Sequence, residues 1–226
     1  MKEYWAIPPE HSAEFVAAME DVLEIYQRPL DPAYPVICMD ESSKQLVGET
    51  RVALPAAPGQ PLREDYEYER HGVANLFLFS EPLRGWREVQ VTERRTRIDW
   101  AVAMRELSDR HYPTAKRITV VLDNWNTHGP ASFYEAFAPE EARRLVEQFE
   151  FHYTPKHGSW LNMAEIEFSV LSRQCLDQRI ADAESLWNET RSWTQQRNTA
   201  SKSIDWQFTT TDARIKLKRL YPVIQM

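Results

Sequence analysis

Cysteine is nearly absent from this sequence, with two residues, Cys38 and Cys175, among 226. They stand far apart and form no CxxC pair, which argues against a disulfide scaffold and fits a reduced compartment. No apolar run approaches the roughly 20 residues that a membrane-spanning helix needs. The opening stretch, MKEYWAIPPEHSAEF, holds no apolar core of a secretory signal. The expectation is a cytoplasmic protein with no membrane association. A glycine-rich phosphate loop is missing too, as are internal repeats and low-complexity segments.

What is present is ordinary for a globular chain. Hydrophobic residues make up 42% and charged residues 27%, which excludes disorder and allows one large domain, alone or with appendages. Eight tryptophans imply large buried anchors or stacking surfaces. The net charge of -7 weighs against a nucleic-acid partner, but it is unevenly spread. Residues 151–226 carry ten Lys/Arg against eight Asp/Glu, while residues 1–150 hold 17 against 26. Acids that bind divalent metal would have their charge neutralised.

The apolar pattern divides the chain into elements. Phe15, Val16, Met19, Val22, Leu23 and Tyr26 recur at helical spacing after Pro8 and Pro9. The prolines at 29 and 32 end that helix, because proline cannot continue the hydrogen-bond ladder. Residues 35–41 form a short apolar run that stops in carboxylates and read as a buried strand. Residues 49–71, rich in proline and charge, read as a long loop of the kind that is often functional or mobile. Strands are expected at 73–79, 87–91, 117–122 and 149–153, and helices at 98–110 and 131–148, the latter divided by Pro139. A helix over 161–176 has Asn162 near its cap. Two further helical stretches, about 182–197 and 210–220, close the chain. Three strands followed by alternating helices and strands make a mixed sheet flanked by helices. This α/β element order is that of the ribonuclease-H-like fold, with an N-terminal helix and a C-terminal helical extension. The expected boundaries are a linker helix over 1–34, the central domain over 35–180 and the extension over 181–226.

Three acids occupy telling places in that scheme. Asp40 ends the first strand, Asp123 ends the fourth, and Glu165 lies in the first turns of the last core helix. First and fourth strands of such a sheet can be neighbours, which brings both aspartates to one edge, and a helix across that edge can present Glu165 to both. Crowded carboxylates repel until one takes up a proton. A hard divalent cation removes the conflict, and two ions about 3.5–4 Å apart stabilise the attacking and leaving oxygens of a phosphoryl transfer. Taken singly, acids at strand ends are common, so the joint placement carries the argument. Glu167, two residues beyond Glu165, points to the opposite side of a helix, so only one of the pair can face the site. Glu41 faces away from Asp40 if the strand continues that far. Both are second-choice ligands, read as solvated or paired.

At these residues the sequence resembles a known family. Residues 153–168 (YTPKHGSWLNMAEIEF) resemble the third acidic motif of DDE-superfamily transposases, in the bacterial insertion-sequence branch related to the mariner elements. In that pattern an Asn precedes the catalytic Glu by three residues, as Asn162 precedes Glu165, which selects Glu165 over Glu167. Residues 121–128 (VLDNWNTH) resemble the second motif, and residues 36–42 (VICMDES) the first. The resemblance runs from about residue 1 to at least residue 180. It implies a ribonuclease-H-like fold with Asp40, Asp123 and Glu165 as catalytic residues and metal ligands. The cofactor would be Mg²⁺ or Mn²⁺, two ions per site. The activity would be cleavage at transposon ends and strand transfer into target DNA, with a TA-type target preference. The partners would be double-stranded DNA and a second copy of the chain in a homodimeric assembly, in a bacterial cytoplasm near the nucleoid. One departure concerns the N-terminal helix-turn-helix modules that such transposases usually carry for end recognition. This chain opens on a linker-like helix instead.

Supporting residues each have two readings. His128 contacts phosphate or holds a ligand, or else caps and packs. Asn124 orients Asp123 or bonds substrate, or else closes a turn. Lys156 and His157, just before the Glu165 helix, meet a DNA backbone or are solvated loop charges. Trp160 stacks on a base or packs over the helix start. Arg214, Lys216, Lys218 and Arg219 form a basic run suited to phosphate or simply a solvated face. Trp187 and Trp193 read as core or interface, and Cys38 as packing. Two other functions compete with the transposase reading. One is a catalytically silent descendant that only binds DNA or a protein partner, which would usually have lost an acid. The other is a small-molecule metal phosphohydrolase, disfavoured by the missing phosphate loop and the basic C-terminal helix.

Overall fold

Strand alternation decides the architecture, because every central strand must bury both of its faces. The computed structural model of the chain describes residues 11–52, 54–61, 63, 65–125 and 127–222. Pro8, Pro9 and Asn126, which figured in the reading of the sequence, lie outside them. β1 (Val36–Glu49), β2 (Tyr68–Glu81) and β3 (Trp86–Thr92) form an antiparallel meander. β4 (Ile118–Leu122) and β5 (Phe149–Tyr153) add in parallel beyond β1, giving the order β3-β2-β1-β4-β5. Parallel additions need crossovers. α2 (Arg97–Glu106) supplies the first, and α3 (Pro130–Ala136) with α4 (Pro139–Gln148) the second. α1 (Ala13–Ile25) precedes the sheet, while α5 (Met163–Leu171), α6 (Ala183–Thr199) and α7 (Thr210–Lys216) follow it.

Ile118, Val120 and Leu122 share one face with Ile37, Met39, Phe77 and Phe79, where they meet Trp100 and Met104 of α2, Phe133 of α3 and Leu145 of α4. Cys38, Leu76, Leu78 and Val121 turn to the other face, onto α1, Ala164, Phe168 and Leu171 of α5, Leu186 and Trp193 of α6, and Ala213 of α7. Burial on two sides is why β2 and β4 read as continuous apolar runs rather than alternating ones. Local chemistry starts the helices. Ser12 caps α1, accepting from the Phe15 N–H at 3.2 Å, and Thr96 with Asp99 makes a capping box on α2. Pro130 and Pro139 open α3 and α4, where a missing N–H is no loss. Among the described residues no helix is long and apolar enough to cross a membrane.

Several expectations change. β1 does not stop at 41 but runs to Glu49, so Asp40 lies inside the strand. Its parallel pairing with β4 ends at Cys38↔Val121, and beyond that β1 pairs with β2 alone. The polar residues 41–45 therefore sit on a strand with a single neighbour and partly open to water, where the apolar signal of a strand is lost. The expected loop over 49–71 shrinks to 50–67 and prolongs that hairpin through the bridges Leu54↔Arg63 and Ala57↔Gln60. The single helix expected over 161–176 is three pieces: a 3-10 turn at Ser159–Leu161, α5, and a π turn at Ser172–Leu176. Asn162 divides the first two because its backbone is extended, with ψ at 109°. A π turn, Leu107–His111, also ends α2, and the 210–220 stretch is α7 followed by a 3-10 turn at Lys218–Leu220. Pro139 splits 131–148 as expected, but its first part is a helix of 7 residues rather than a turn.

One ion pair ties α1's exit to the edge strand. Glu150 of β5 accepts from Arg28 at 3.1 Å and from the Thr119 hydroxyl at 2.9 Å. Burial alone would raise its carboxyl, but these donors draw it down to about 2 from 4.5. A depressed folded-state pKa gives stability that is complete above the unfolded value and disappears as pH falls through the folded one. Wild type should therefore exceed Glu150→Gln in urea midpoint by a constant amount above about pH 5, and that lead should vanish toward about pH 2. Parallel acid limbs in the two proteins would rule the linkage out.

Candidate active site

β1 and β4 pair in the parallel register Val36↔Thr119, Ile37↔Val120, Cys38↔Val121. Continued two residues on, the register sets Asp40 level with Asp123, the residue just past β4. Alternation turns both aspartates toward the face of Cys38 and Val121, which α5 covers.

The position of α5 is fixed by its cap. Asn162 is 2% exposed. Its Oδ1 accepts from the Ala164 N–H at 3.1 Å and its Nδ2 donates to the Met39 carbonyl at 2.9 Å. A single side chain thus starts the helix and ties it to the residue before Asp40. Tyr26 of α1 adds a second hold, donating to the Leu161 carbonyl at 2.6 Å and accepting from the Met163 N–H at 3.4 Å. Glu165 consequently lies in the first turn of α5, with its side chain exposed.

Charge is concentrated here. The Asp40 carboxyl is pushed up to about 7, first by burial and further by the charges of Asp123 and Glu165, against the Glu41 N–H, 2.8 Å from Oδ1, and His128. His128 is 3% exposed and stacks on Trp100 at 5.7 Å. Its Nδ1 lies 2.7 Å from Asp123 Oδ1 and its Nε2 lies 3.4 Å from Glu41 Oε2. Burial alone would depress this imidazole, but the two carboxylates raise it to about 9, so it is cationic at neutral pH. The Asp123 contact lies off the N–H direction. Oδ1 has charge contact there but no hydrogen-bond partner among the described residues. Arg95 approaches Glu41 from outside at 3.3 Å, so Glu41 is paired twice and turned away from the acid cluster.

Among the described residues no three His, Cys, Asp or Glu side chains stand close enough to form a ready metal cage. In kind, the donors suit a hard cation: they are carboxylate oxygens, one of them buried without a hydrogen bond, beside an aspartate whose pKa is raised by burial and then by its like-charged neighbours. Glu165 is the open member of the group. Glu167 points the other way, 1% exposed between Arg87 at 3.1 Å and Arg197 at 2.8 Å.

The remaining residues separate into two sets. Asn124, Lys156 and His157 line an open groove of about 590 Å³ beside Asp123, with Thr154, Pro155 and Ser159. His157 has a φ of 64°, in the left-handed region. Trp125, 56% exposed, lines the same groove. It was not singled out from the sequence, although its place directly after Asp123-Asn124 marks it. The second set lies elsewhere. Trp160 is half buried and packs edge-on against Phe208 at 6.1 Å. The basic run does not line the groove: Arg214 is held by Glu20 through two bonds of 2.9 Å, and Lys216 lies 3.6 Å from Asp212. Lys218 and Arg219 remain exposed. Trp187 lies under Arg191 at 4.9 Å, Trp193 is buried in the core, and Cys38 packs with its sulfur 3.6 Å from the Tyr26 hydroxyl.

No curated protein matches the chain. Among solved structures it is similar to the mariner Mos1 paired-end complex with Mg, at 16% identity and a TM-score of 0.52, over 99% of this chain and 67% of that one. The Mos1 paired-end complex with Mn aligns at 16% identity and a TM-score of 0.43, over 92% of this chain and 68% of that one. This chain thus spans about two thirds of the Mos1 chains. At such identity the first likeness shows the fold, a ribonuclease-H-like mixed sheet flanked by helices. The family described as DDE superfamily endonuclease matches residues 35–187, well over half of the sequence and all of the sheet, and the chain belongs to that family.

Proposed function

We propose that the chain is a transposase catalytic domain that cuts DNA at transposon ends and joins the freed strand to target DNA. In this reading Asp40, Asp123 and Glu165 are the catalytic ligands of Mg²⁺ or Mn²⁺, two ions per site. The observation that carries it is the β1/β4 register together with the Asn162 clamp, which gathers two strand acids and one helix acid at a single sheet edge. The likeness in fold to the mariner Mos1 paired-end complex with Mg supports the same substrate class and a divalent ion by analogy. The family match over 35–187 supports a catalytic domain over 35–180, with a linker helix before it and a helical extension after it. The insertion-sequence branch, the homodimer and the nucleoid setting rest on the motif resemblance.

Bound metal would activate the attacking oxygen and take the charge that grows on the leaving oxygen. The protein side chains prepare for this. Asp40, held near 7, gives up its proton as positive charge arrives. His128, with each nitrogen turned to a carboxylate, orients Asp123 from below and is not itself a ligand. Lys156 offers a point charge to a backbone phosphate, and the Trp125 indole a face to an unpaired base. The incomplete convergence of the acids favours a second reading, a silent descendant that binds DNA without cutting it. The experiments below separate the two.

In a nicking assay on supercoiled plasmid with Mn²⁺ or Mg²⁺, Asp123→Asn should lose about 100–1,000-fold in rate or more, with its melting temperature unchanged. Full activity in that variant, or nicking by wild type without metal, would sink the ligand assignment, and absent nicking by wild type would favour the silent reading. Asn162→Ala should cost about 1–2 kcal/mol in urea unfolding and slow nicking as well, because the helix start loses its tie to Met39. A stability loss with unchanged nicking would leave Asn162 as a cap and nothing more.

A further inference from the structure

Glu167 is a carboxylate buried in the core two residues beyond Glu165, and its charge is met from two directions. Arg87 of β3 reaches Oε1 at 3.1 Å, while Arg197 of α6 reaches Oε1 at 2.8 Å and Oε2 at 3.1 Å. Arg87 is itself anchored. Arg87 also donates to the carbonyls of Gly85 at 2.9 Å, Arg197 at 3.1 Å and Lys202 at 2.7 Å. Asn198 bonds the Arg87 backbone in both senses, accepting from its N–H at 2.9 Å and donating to its carbonyl at 2.8 Å.

Such a triad is a poor way to gain stability. Burying three charges carries a desolvation cost that apolar side chains of similar size would avoid. The Nε groups of Arg87 and Arg197 find no hydrogen-bond partner among the described residues, which adds to the cost. What the triad does supply is direction. Apolar contacts at Ala164, Phe168 and Leu171 turn one face of α5 to the sheet, but they set its angle less sharply than charge-assisted bonds, which are short and oriented.

We propose that Glu167 is a positioning residue: locked between Arg87 and Arg197, it fixes the rotation of α5 about its axis and so aims Glu165 at Asp40 and Asp123. Asn162 and Tyr26 pin the start of the helix, but a helix pinned at one end still rolls. The second fixed point, about 200° around the helix from Glu165, removes that freedom. A roll of about 10° moves a carboxylate about 6 Å from the axis by about 1 Å, and a misplacement of that size at a reacting centre costs about 100-fold. The inference rests on the reading of Asp40, Asp123 and Glu165 as metal ligands.

The test measures binding of Mn²⁺ alone to the full chain by electron paramagnetic resonance, with circular dichroism and melting temperature as checks on the fold. Wild type, Glu165→Gln, Glu167→Gln, Arg197→Met and the double variant Glu165→Gln/Arg197→Met are compared. Glu167→Gln and Arg197→Met should each stay folded and weaken Mn²⁺ binding by about 10-fold, as loss of a group that orients a ligand does. The double variant should bind no more weakly than Glu165→Gln, since both changes act through one side chain. If Glu167→Gln unfolds, Arg197→Met carries the comparison, because its side chain lies at the edge of the triad, 19% exposed. Wild-type affinity in Arg197→Met, or additive losses in the double variant, would overturn the inference while leaving the metal site intact. Absent Mn²⁺ binding in wild type, or unchanged binding in Glu165→Gln, would instead remove the site reading and this inference with it.

Discussion

The parallel pairing of β1 with β4 is the contact on which the arrangement of charge depends. It is short, three residue pairs from Val36 to Cys38, and it ends just before both partners reach an aspartate. Within those pairs the side chains are mostly buried and, Thr119 excepted, apolar. Past them β4 stops, β1 continues with β2 alone, and the sheet opens a notch whose walls are backbone and whose floor is carboxylate. The closed strand core that ends there still buries much of Asp40, and that burial, with the nearby charges of Asp123 and Glu165, lifts its pKa. Were β1 and β4 antiparallel, or shifted by one residue, one aspartate would turn to the opposite face.

Much of the fold was legible in the sequence because its signals are local. β5 falls at the expected residues, Pro139 divides its segment, and Asn162 caps its helix. The ribbon beyond Asp40 was not legible, since a strand with one neighbour and wet faces has no apolar signature to show. The end of α2 and the end of α5 were read as plain helix because π turns keep helical composition. In the site, spacing and motif resemblance picked out the three acids, and once helical geometry allowed only one of Glu165 and Glu167 to face it, the motif resemblance chose Glu165. The partners of those acids were hidden by distance along the chain. Arg87 is 80 residues from Glu167 and Glu20 is 194 from Arg214, and no local pattern announces such pairs.

Much of the chain's positive charge is committed within the fold. Several cations that look available in the sequence, among them Arg28, Arg87, Arg197 and Arg214, are held by carboxylates in the fold. The groove beside Asp123 is lined by Lys156, next to a concentration of negative charge. Electrostatic attraction of an anion over the whole surface is weak for a net charge of -7, so a nucleic acid bound as proposed would depend on short-range contacts within the groove. Fold alone does not fix what such a groove holds. The family match narrows it to endonuclease chemistry, and the side chains define where that chemistry would occur.

The β2–β3 turn has an uncommon neighbour. Gly85, at a φ of 68°, lies so close to the backbone of Ser201 that a methyl group there would approach it to 2.7 Å, and Ile204 donates to the Pro82 carbonyl at 2.9 Å. Arg87, at the start of β3, pairs with Glu167 of α5 and draws its other long-range partners from residues 197 to 202. The outer edge of the sheet is therefore finished by chain that follows it by 80 residues or more. A nascent chain can assemble the meander early, but the Arg87 guanidinium meets its carboxylate only once α5 has formed, and its carbonyl partners only once α6 has folded back. The high sequence separation of these contacts marks closure of the β3 edge as a slow step of folding.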